Sequence, residues 1–220
     1  MTTKKIYLLR DAPLSATAVV KEVGDTEGRP WIRLDRTTFH AQGGGQKADR
    51  GRIDGVSVAH VAHGPQGAVL HYFDRNDSFA VGQTVTMSVD PEWRFTNARY
   101  HSGGHLIAAL VENRFPILTA VAGHHWPGEA RVEFKASTAA PSAAAIGDGL
   151  ADDLKAAVVS AAPTNIVGDP YTERSIQLGS YPAVPCGGTH VADLSELGGI
   201  EVVKVRLKSG KIRVSYQMPD

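Results

Sequence analysis

The sequence predicts an α+β chain: a small N-terminal β-barrel over residues 1–90, then an α+β domain over residues 91–220. Three observations carry this. Residues 1–89 break into short segments rich in Val, Ile, Thr and aromatics, with Gly or Asp between them. At Asp90-Pro91-Glu92 the texture switches to helix-start chemistry, and the last third returns to strand-like alternation.

Ser15–Val23, Pro30–Arg36, Val56–Val61, Ala68–Phe73 and Thr84–Val89 are the strands expected in the barrel. Asp90 is a good N-cap, Pro91 suits the first helical position and Glu92 suits the positive helix end. A helix should run from about Pro91 to Arg114, stopped by Pro116, with Leu106, Ile107, Leu110 and Val111 as an apolar stripe. Val132–Phe134 reads as a strand. Ser142 to Ala161 reads as a second helix, weakened at its start by Gly147 and Gly149 and ended by Pro163. Ile200–Leu207 and Lys211–Tyr216 flank Lys208-Ser209-Gly210 as a hairpin.

The 220 residues hold 23 Lys plus Arg against 23 Asp plus Glu, which excludes a globally basic nucleic-acid binder. Any RNA contact needs a local patch. Lys204, Arg206 and Lys208 share one strand face, and Lys211 and Arg213 follow on the hairpin partner. Lys47, Arg50, Arg52, Arg94 and Arg99 are further candidates, and each reads equally well as a solvated surface charge. The single cysteine, Cys186, excludes an internal disulfide framework. The only apolar run near the N-terminus is Ile6–Leu9, and no run is long enough to cross a bilayer. A soluble, cytoplasmic protein with no membrane partner is expected. A ligase with its own nucleotide-binding core would hardly fit, so no use of ATP is expected.

The sharpest motif is Tyr100-His101-Ser102-Gly103-Gly104-His105. Positions i and i+4 lie on one face of a helix, so two imidazoles can chelate one metal from a rigid support. The two intervening glycines each cost about 1 kcal/mol relative to Ala, and close approach of another backbone or a substrate would offset that. Far along the chain, Pro185-Cys186-Gly187-Gly188-Thr189-His190 repeats the four-residue offset in a loop-like context. Either motif alone reads as an ordinary helix surface or a packed thiol. Together, His101, His105, Cys186 and His190 make a tetrahedral zinc set. Four protein ligands would close a structural site and a loose one would open a catalytic site; the spacing admits both.

A second feature is Thr37-Thr38-Phe39-His40-Ala41-Gln42-Gly43-Gly44-Gly45-Gln46. Three consecutive glycines permit φ > 0 and expose backbone N–H groups. The loop lacks the ending of a phosphate-binding loop and the spacing of a dinucleotide fingerprint. It reads as a flexible turn or, with Thr37, Gln42 and Gln46 around it, as a ligand wall.

These motifs together resemble the editing domain of alanyl-tRNA synthetase and its free-standing relatives, the AlaX proteins, from about residue 30 onward. The matching residues are Thr37, Phe39-His40, Gly44-Gly45-Gln46, His101/His105 and Cys186/His190, with CGGTHV as the most specific segment. The length is similar to the medium form of AlaX. The resemblance implies a β-barrel joined to the α+β editing fold shared with threonyl-tRNA synthetase. It implies a hydrolase that removes serine or glycine from mischarged alanine tRNA. It also implies His101, His105, Cys186 and His190 as zinc ligands, with Thr37 and Gly43, Gly44, Gly45 and Gln46 facing the aminoacyl group.

The chemistry is coherent with that function. A site built for alanine discriminates only weakly against glycine or serine, so a second, hydrolytic site is needed. Zinc could polarise an ester carbonyl or only hold the substrate, and the Gly43–Gly45 N–H groups could serve an oxyanion. Cys186 as a nucleophile paired with His190 is the rival reading, disfavoured because a metal-bound thiolate is a poor free nucleophile. A non-catalytic zinc module that binds tRNA or a synthetase is the alternative outside catalysis. Editing of the threonyl type is another, against which the Gly-Gly-Gln loop argues. His60, His63 and His71 read as surface residues, and Trp31, Trp93 and Trp126 as core or lid residues.

Overall fold

The computed structural model describes residues 2–74, 79–208 and 210–219. The chain divides into two compact units: Met1–Gly43 with Lys47–Thr96, and Gly44–Gln46 with Asn97–Asp220. Three residues of the glycine loop thus belong to the second unit.

The first unit contains β1 (Lys4–Lys5), β2 (Ser15–Thr26), β3 (Arg29–Leu34), β4 (Arg36–Thr37), β5 (Gly51–Ile53), β6 (Val56–Ser57), β7 (His60–His63), β8 (Val69–Tyr72) and β9 (Thr84–Val89). Seven of these form an antiparallel sheet in the order β6-β5-β9-β2-β3-β8-β7. The long β2 pairs with β9 through Ser15–Val19 and with β3 from Val20 onward, with a register shift between Val20 and Glu22. That shift bends one strand into two half-sheets. Val20, Leu34, Phe39, Ile53, Val61 and Met87 are all fully buried in the core so enclosed.

The expected barrel is not found as a closed ladder among the described residues: β6 and β7 stand at opposite ends of the strand order. The reason is local. β6 is two residues long after the tight turn at Asp54 (φ 47°) and Gly55 (φ 80°). The chain then passes from one edge to the other through Val58 and Ala59, which donate single bonds to Gly51 and Tyr72 carbonyls. Two bonds on a crossing segment do not make a strand pair.

Helix α1 (Pro91–Arg114) has the bounds expected from sequence. Asp90 caps it, its Oδ1 accepting the Trp93 N–H at 3.0 Å. Leu106, Ile107, Leu110 and Val111 are buried as the stripe requires. The second unit continues with β10 (Leu118–His124), β11 (Arg131–Ala136), α2 (Ala143–Gly147), α3 (Leu150–Val159), β12 (Thr164–Val167), β13 (Ser175–Leu178), β14 (Val184–Pro185), β15 (Glu201–Lys208) and β16 (Lys211–Gln217). Its sheets are β10-β11-β16-β15 and β12-β13-β14, each antiparallel.

The expected second helix is broken in two. Gly149 takes φ 70°, a left-handed conformation that ends one helical segment and starts the next. The strands β10, β12 and β14 are not evident from sequence patterning, because most of their exposed positions carry Ala, Gly, Val or Pro rather than polar residues, and β13, although Ser175 and Gln177 alternate with buried Ile176 and Leu178, is only four residues long. The β15–β16 hairpin forms with Lys208 opposite Lys211. Its expected turn residue Ser209 lies outside the described residues.

Candidate metal centre

His101 and His105 project from one face of α1, and Cys186 and His190 from the loop that follows β14. Their ligand atoms all lie within 4.8 Å of one another. His101 Nε2 is 3.0 Å from Cys186 Sγ, which is 3.2 Å from His190 Nε2. A tetrahedral zinc with bonds of about 2.0 Å to nitrogen and about 2.3 Å to sulfur sets its ligands on the order of 3.5 Å apart. The observed separations bracket that value, so the four side chains fit a metal ion.

The site is held by neighbours outside the ligand set. Ser102 Oγ lies 3.0 Å from His190 Nδ1 and accepts the Val191 N–H at 3.1 Å, which fixes the ring that presents Nε2 to the cluster. Gln46 Nε2 donates to Thr189 Oγ1 at 2.8 Å, and its Oε1 accepts the Thr189 N–H at 3.0 Å. Both Gln46 and Ser102 are fully buried. A Cβ on Gly188 would lie 2.5 Å from His101 Nε2 and 2.8 Å from Gln46 Oε1, so only glycine lets the Cys186–His190 loop pack here.

The paired glycines of α1 have a different cause from the one expected. No backbone or substrate takes the space; side chains do. His125, from the end of β10, fills the place of a Gly104 side chain, and Met218 and Ile200 fill that of Gly103. His125 Nδ1 is 2.8 Å from the Tyr216 hydroxyl, which donates to the Tyr100 carbonyl at 2.6 Å. The tyrosine oxygen must therefore accept from Nδ1, and the His125 proton sits there. Its ring stands edge-on to His101 with centroids 5.0 Å apart. Burial, then nearby His105 and His124, lowers its pKa to about 3.

Burial first, and the Arg174 charge second, lowers the His105 pKa to about 4. Burial raises that of the Cys186 thiol, against the Gly188 N–H and Arg174. The imidazole is thus ready to ligate at neutral pH, and the thiol must lose a proton to do so. Arg174 Nη1 donates to the Cys186 carbonyl at 2.5 Å. A cavity of about 190 Å³ opens beside His105, walled by Ala108, Ile176, Leu178 and Tyr181, with Glu112 and Asn113 among its lining.

The glycine loop divides. Gly44 (φ 57°) would place a Cβ 3.8 Å from His101 Cε1, and Gly45 (φ 76°) packs so closely that its Cβ would lie 2.4 Å from the Gly123 carbonyl oxygen. The Gly45 carbonyl accepts the His125 N–H at 2.8 Å. Gly44, Gly45 and Gln46 are therefore brought to the metal-ligand set. Gly43 belongs to the first unit and packs on His63. Thr37, in the same unit, is fully buried, with Oγ1 bonded to His71 Nε2 at 2.8 Å and accepting the Phe39 N–H at 3.0 Å. His71 is itself fully buried, not a surface residue as expected.

Several expected RNA contacts are taken by the fold. Arg94 is buried and holds Asp49 and the Thr38 carbonyl. Arg99 donates to the Glu196 and Gly198 carbonyls, both at 2.9 Å. Arg50 stacks on Trp93 at 3.6 Å. Ser102, Arg174 and Tyr216 escaped the sequence reading, and only the embedded position of Ser102 within the His-x-x-x-His motif signalled any of them.

Residues 4–93 match the family model described as class II (A) tRNA synthetases. The chain is 29% identical over 227 residues to alanyl-tRNA editing protein AlaX-M of Pyrococcus horikoshii, covering 92% of this chain and 91% of that protein. It is 28% identical over 209 residues to AlaX-M of Saccharolobus solfataricus, covering 84% and 88%. Alanine–tRNA ligase of Saccharopolyspora erythraea is 31% identical over 194 residues, 77% of this chain but only 22% of the ligase. No helix among the described residues is long and apolar enough to cross a membrane. The chain is thus similar along most of its length to AlaX-M alanyl-tRNA editing proteins, and it brings together a four-residue His/Cys cluster able to hold a metal ion.

Proposed function

We propose that this protein is an aminoacyl-tRNA deacylase that hydrolyses the ester of serine or glycine mischarged on alanine tRNA, in the cytoplasm, with zinc as its metal. The observation that carries the reading is the His101/His105/Cys186/His190 cluster, pinned to the glycine loop by the two Gln46–Thr189 bonds. Zinc bound there would supply Lewis-acid polarisation at the ester or an anchor for the substrate.

The chain's own residues supply the rest. Gly44 lies beside His101, and the backbone N–H groups of Gly43, Gly44 and Gly45 are assigned to a developing oxyanion. Gln46 holds the Cys186–His190 loop rather than the substrate, since both ends of its amide are committed to Thr189. Thr37 and Gly43 are assigned to face the aminoacyl group, with the Thr37 hydroxyl held by its bonds to Phe39 and His71. Residues 1–90 are read as the domain that supports the loop and residues 91–220 as the catalytic domain. The cavity beside His105 has the size and apolar walls to exclude water from part of the substrate.

The test is deacylation of Ser-tRNA(Ala), Gly-tRNA(Ala) and Ala-tRNA(Ala) by zinc-loaded protein. Rapid loss of serine or glycine with alanine spared is the expected outcome. Loss of none above the uncatalysed rate would leave a non-catalytic zinc module.

A further inference from the structure

The sheet β10-β11-β16-β15 has one face in the core and one outside. Val132, Phe134, Ile212, Val214 and Tyr216 are buried on the first. Alternation then puts Arg131, Glu133 and Lys135 of β11, and Lys211, Arg213 and Ser215 of β16, on the second. Helix α2 packs against β15 on the core side, where Gly147 meets Val205.

Register aligns the outer side chains into rows. Lys208 faces Lys211; Arg206 faces Arg213, which faces Glu133; Lys204 faces Ser215, which faces Arg131. Like charges directly opposite one another destabilise a sheet. Two such pairs, Arg206 with Arg213 and Lys208 with Lys211, therefore stand in a chain whose overall charge is zero. Glu133 is the only acid in these rows, and it serves Lys211, Arg213 and Arg131. Lys135, Lys204, Arg206 and Lys208 are exposed and make no ion pair among the described residues. For Lys135, Lys204, Arg206 and Lys208, no ion pair among the described residues offsets the repulsion.

The face also borders the metal centre. On β10, His124 stands opposite Arg131, and the very next residue, His125, lies against His101. We propose that this basic sheet face is the surface on which the phosphate backbone of tRNA lies while its aminoacyl end reaches the metal centre. The choice of RNA over another polyanion rests on the deacylase reading above. The face itself rests on register and charge.

The test is binding of unacylated alanine tRNA to the full chain and to the variant K204E/R206E/K208E, read by anisotropy over about 50–200 mM salt. The variant is expected to bind at least ~10-fold more weakly, with its log–log salt slope shallower by about 2–3. The variant K204Q/R206Q/K208Q should fall between. Unchanged affinity and slope in variants with the parent's melting temperature would overturn the proposal. So would wild-type protein that binds phosphatidylglycerol vesicles and not tRNA. Wild-type hydrolysis of Ser-tRNA(Ala) is measured in parallel. Charge-dependent binding without hydrolysis upholds the surface and removes the deacylase reading; hydrolysis with binding indifferent to the variants does the reverse.

Discussion

Gly104 and His125 are complementary: a Cβ on Gly104 would lie 2.2 Å from His125 Cε1 and 2.3 Å from its Nδ1. The helix forgoes about 1 kcal/mol at this glycine so that an imidazole, itself fixed by Tyr216, can pack against it. Gly104→Ala should therefore destabilise the protein by about 1–3 kcal/mol despite alanine's better helix propensity. Gly103→Ala should cost less, because the nearest atom, at 2.4 Å, is the flexible end of Met218. Urea unfolding of the two variants compares them directly, and equal costs would remove this account of the pair.

Gln46 is bonded at both ends of its amide to Thr189, which sits between Cys186 and His190 in their loop. Gln46→Ala leaves the buried Thr189 N–H and hydroxyl without these partners, at a cost of about 1–3 kcal/mol. The loop that presents Cys186 and His190 should loosen, with zinc affinity lower by about 10-fold or more. Competition with a chelating dye measures it. Unaltered affinity would show that Gln46 does not position the ligands.

Zinc uptake should release close to one proton at pH 7. The Cys186 thiol, pushed up by burial, is protonated without metal, whereas His105, lowered to about 4, has no proton to lose. Titration calorimetry in two buffers of different ionisation enthalpy counts the protons. Cys186→Ser should abolish the release and weaken binding, and a count of zero in the parent protein would rule out thiolate ligation.

Acid should weaken the first unit before it reaches the carboxylate range. His40 and His71 are buried neutral, each with its pKa lowered to about 4, chiefly by burial. The unfolded chain takes up their protons near pH 6.5, the fold only near 4. The stability they contribute is thus complete above about 6.5 and is lost as pH falls from there toward 4, by up to about 3 kcal/mol per histidine. Unfolding free energies at pH 7, 6 and 5 test the trend, and His71→Gln should flatten it. A stability that rises on acidification across this window would contradict the burial of both rings.

How much of this was legible beforehand follows from the range of each interaction. Helix α1 was readable to the residue because Asp90, Pro91 and the Leu106–Val111 stripe act within a turn or two of themselves. The His101/His105/Cys186/His190 cluster was readable because each pair sits at a fixed four-residue offset, with a chemistry few other uses require. The hairpin cations were readable as a face, but not the rows they form, since Arg131, Glu133 and Lys135 join them only through β11–β16 pairing. Arg94 and Arg99 could not be separated from RNA-binding cations because their partners, Asp49 and the Glu196 and Gly198 carbonyls, lie 45 to 99 residues away.

Composition and local spacing were enough for the His/Cys cluster, the main helix and the longer strands of the first sheet and the C-terminal hairpin, because those depend on residue type and on neighbours within one or two turns. Tertiary structure alone decided that the first sheet stays an open ladder, that His125 and Tyr216 complete the packing behind the ligands, and that Gln46 ties loop to loop. Each of those is a contact between segments distant in sequence. Its energy comes from burial, shape and a hydrogen-bond partner that exist only once the chain has closed on itself.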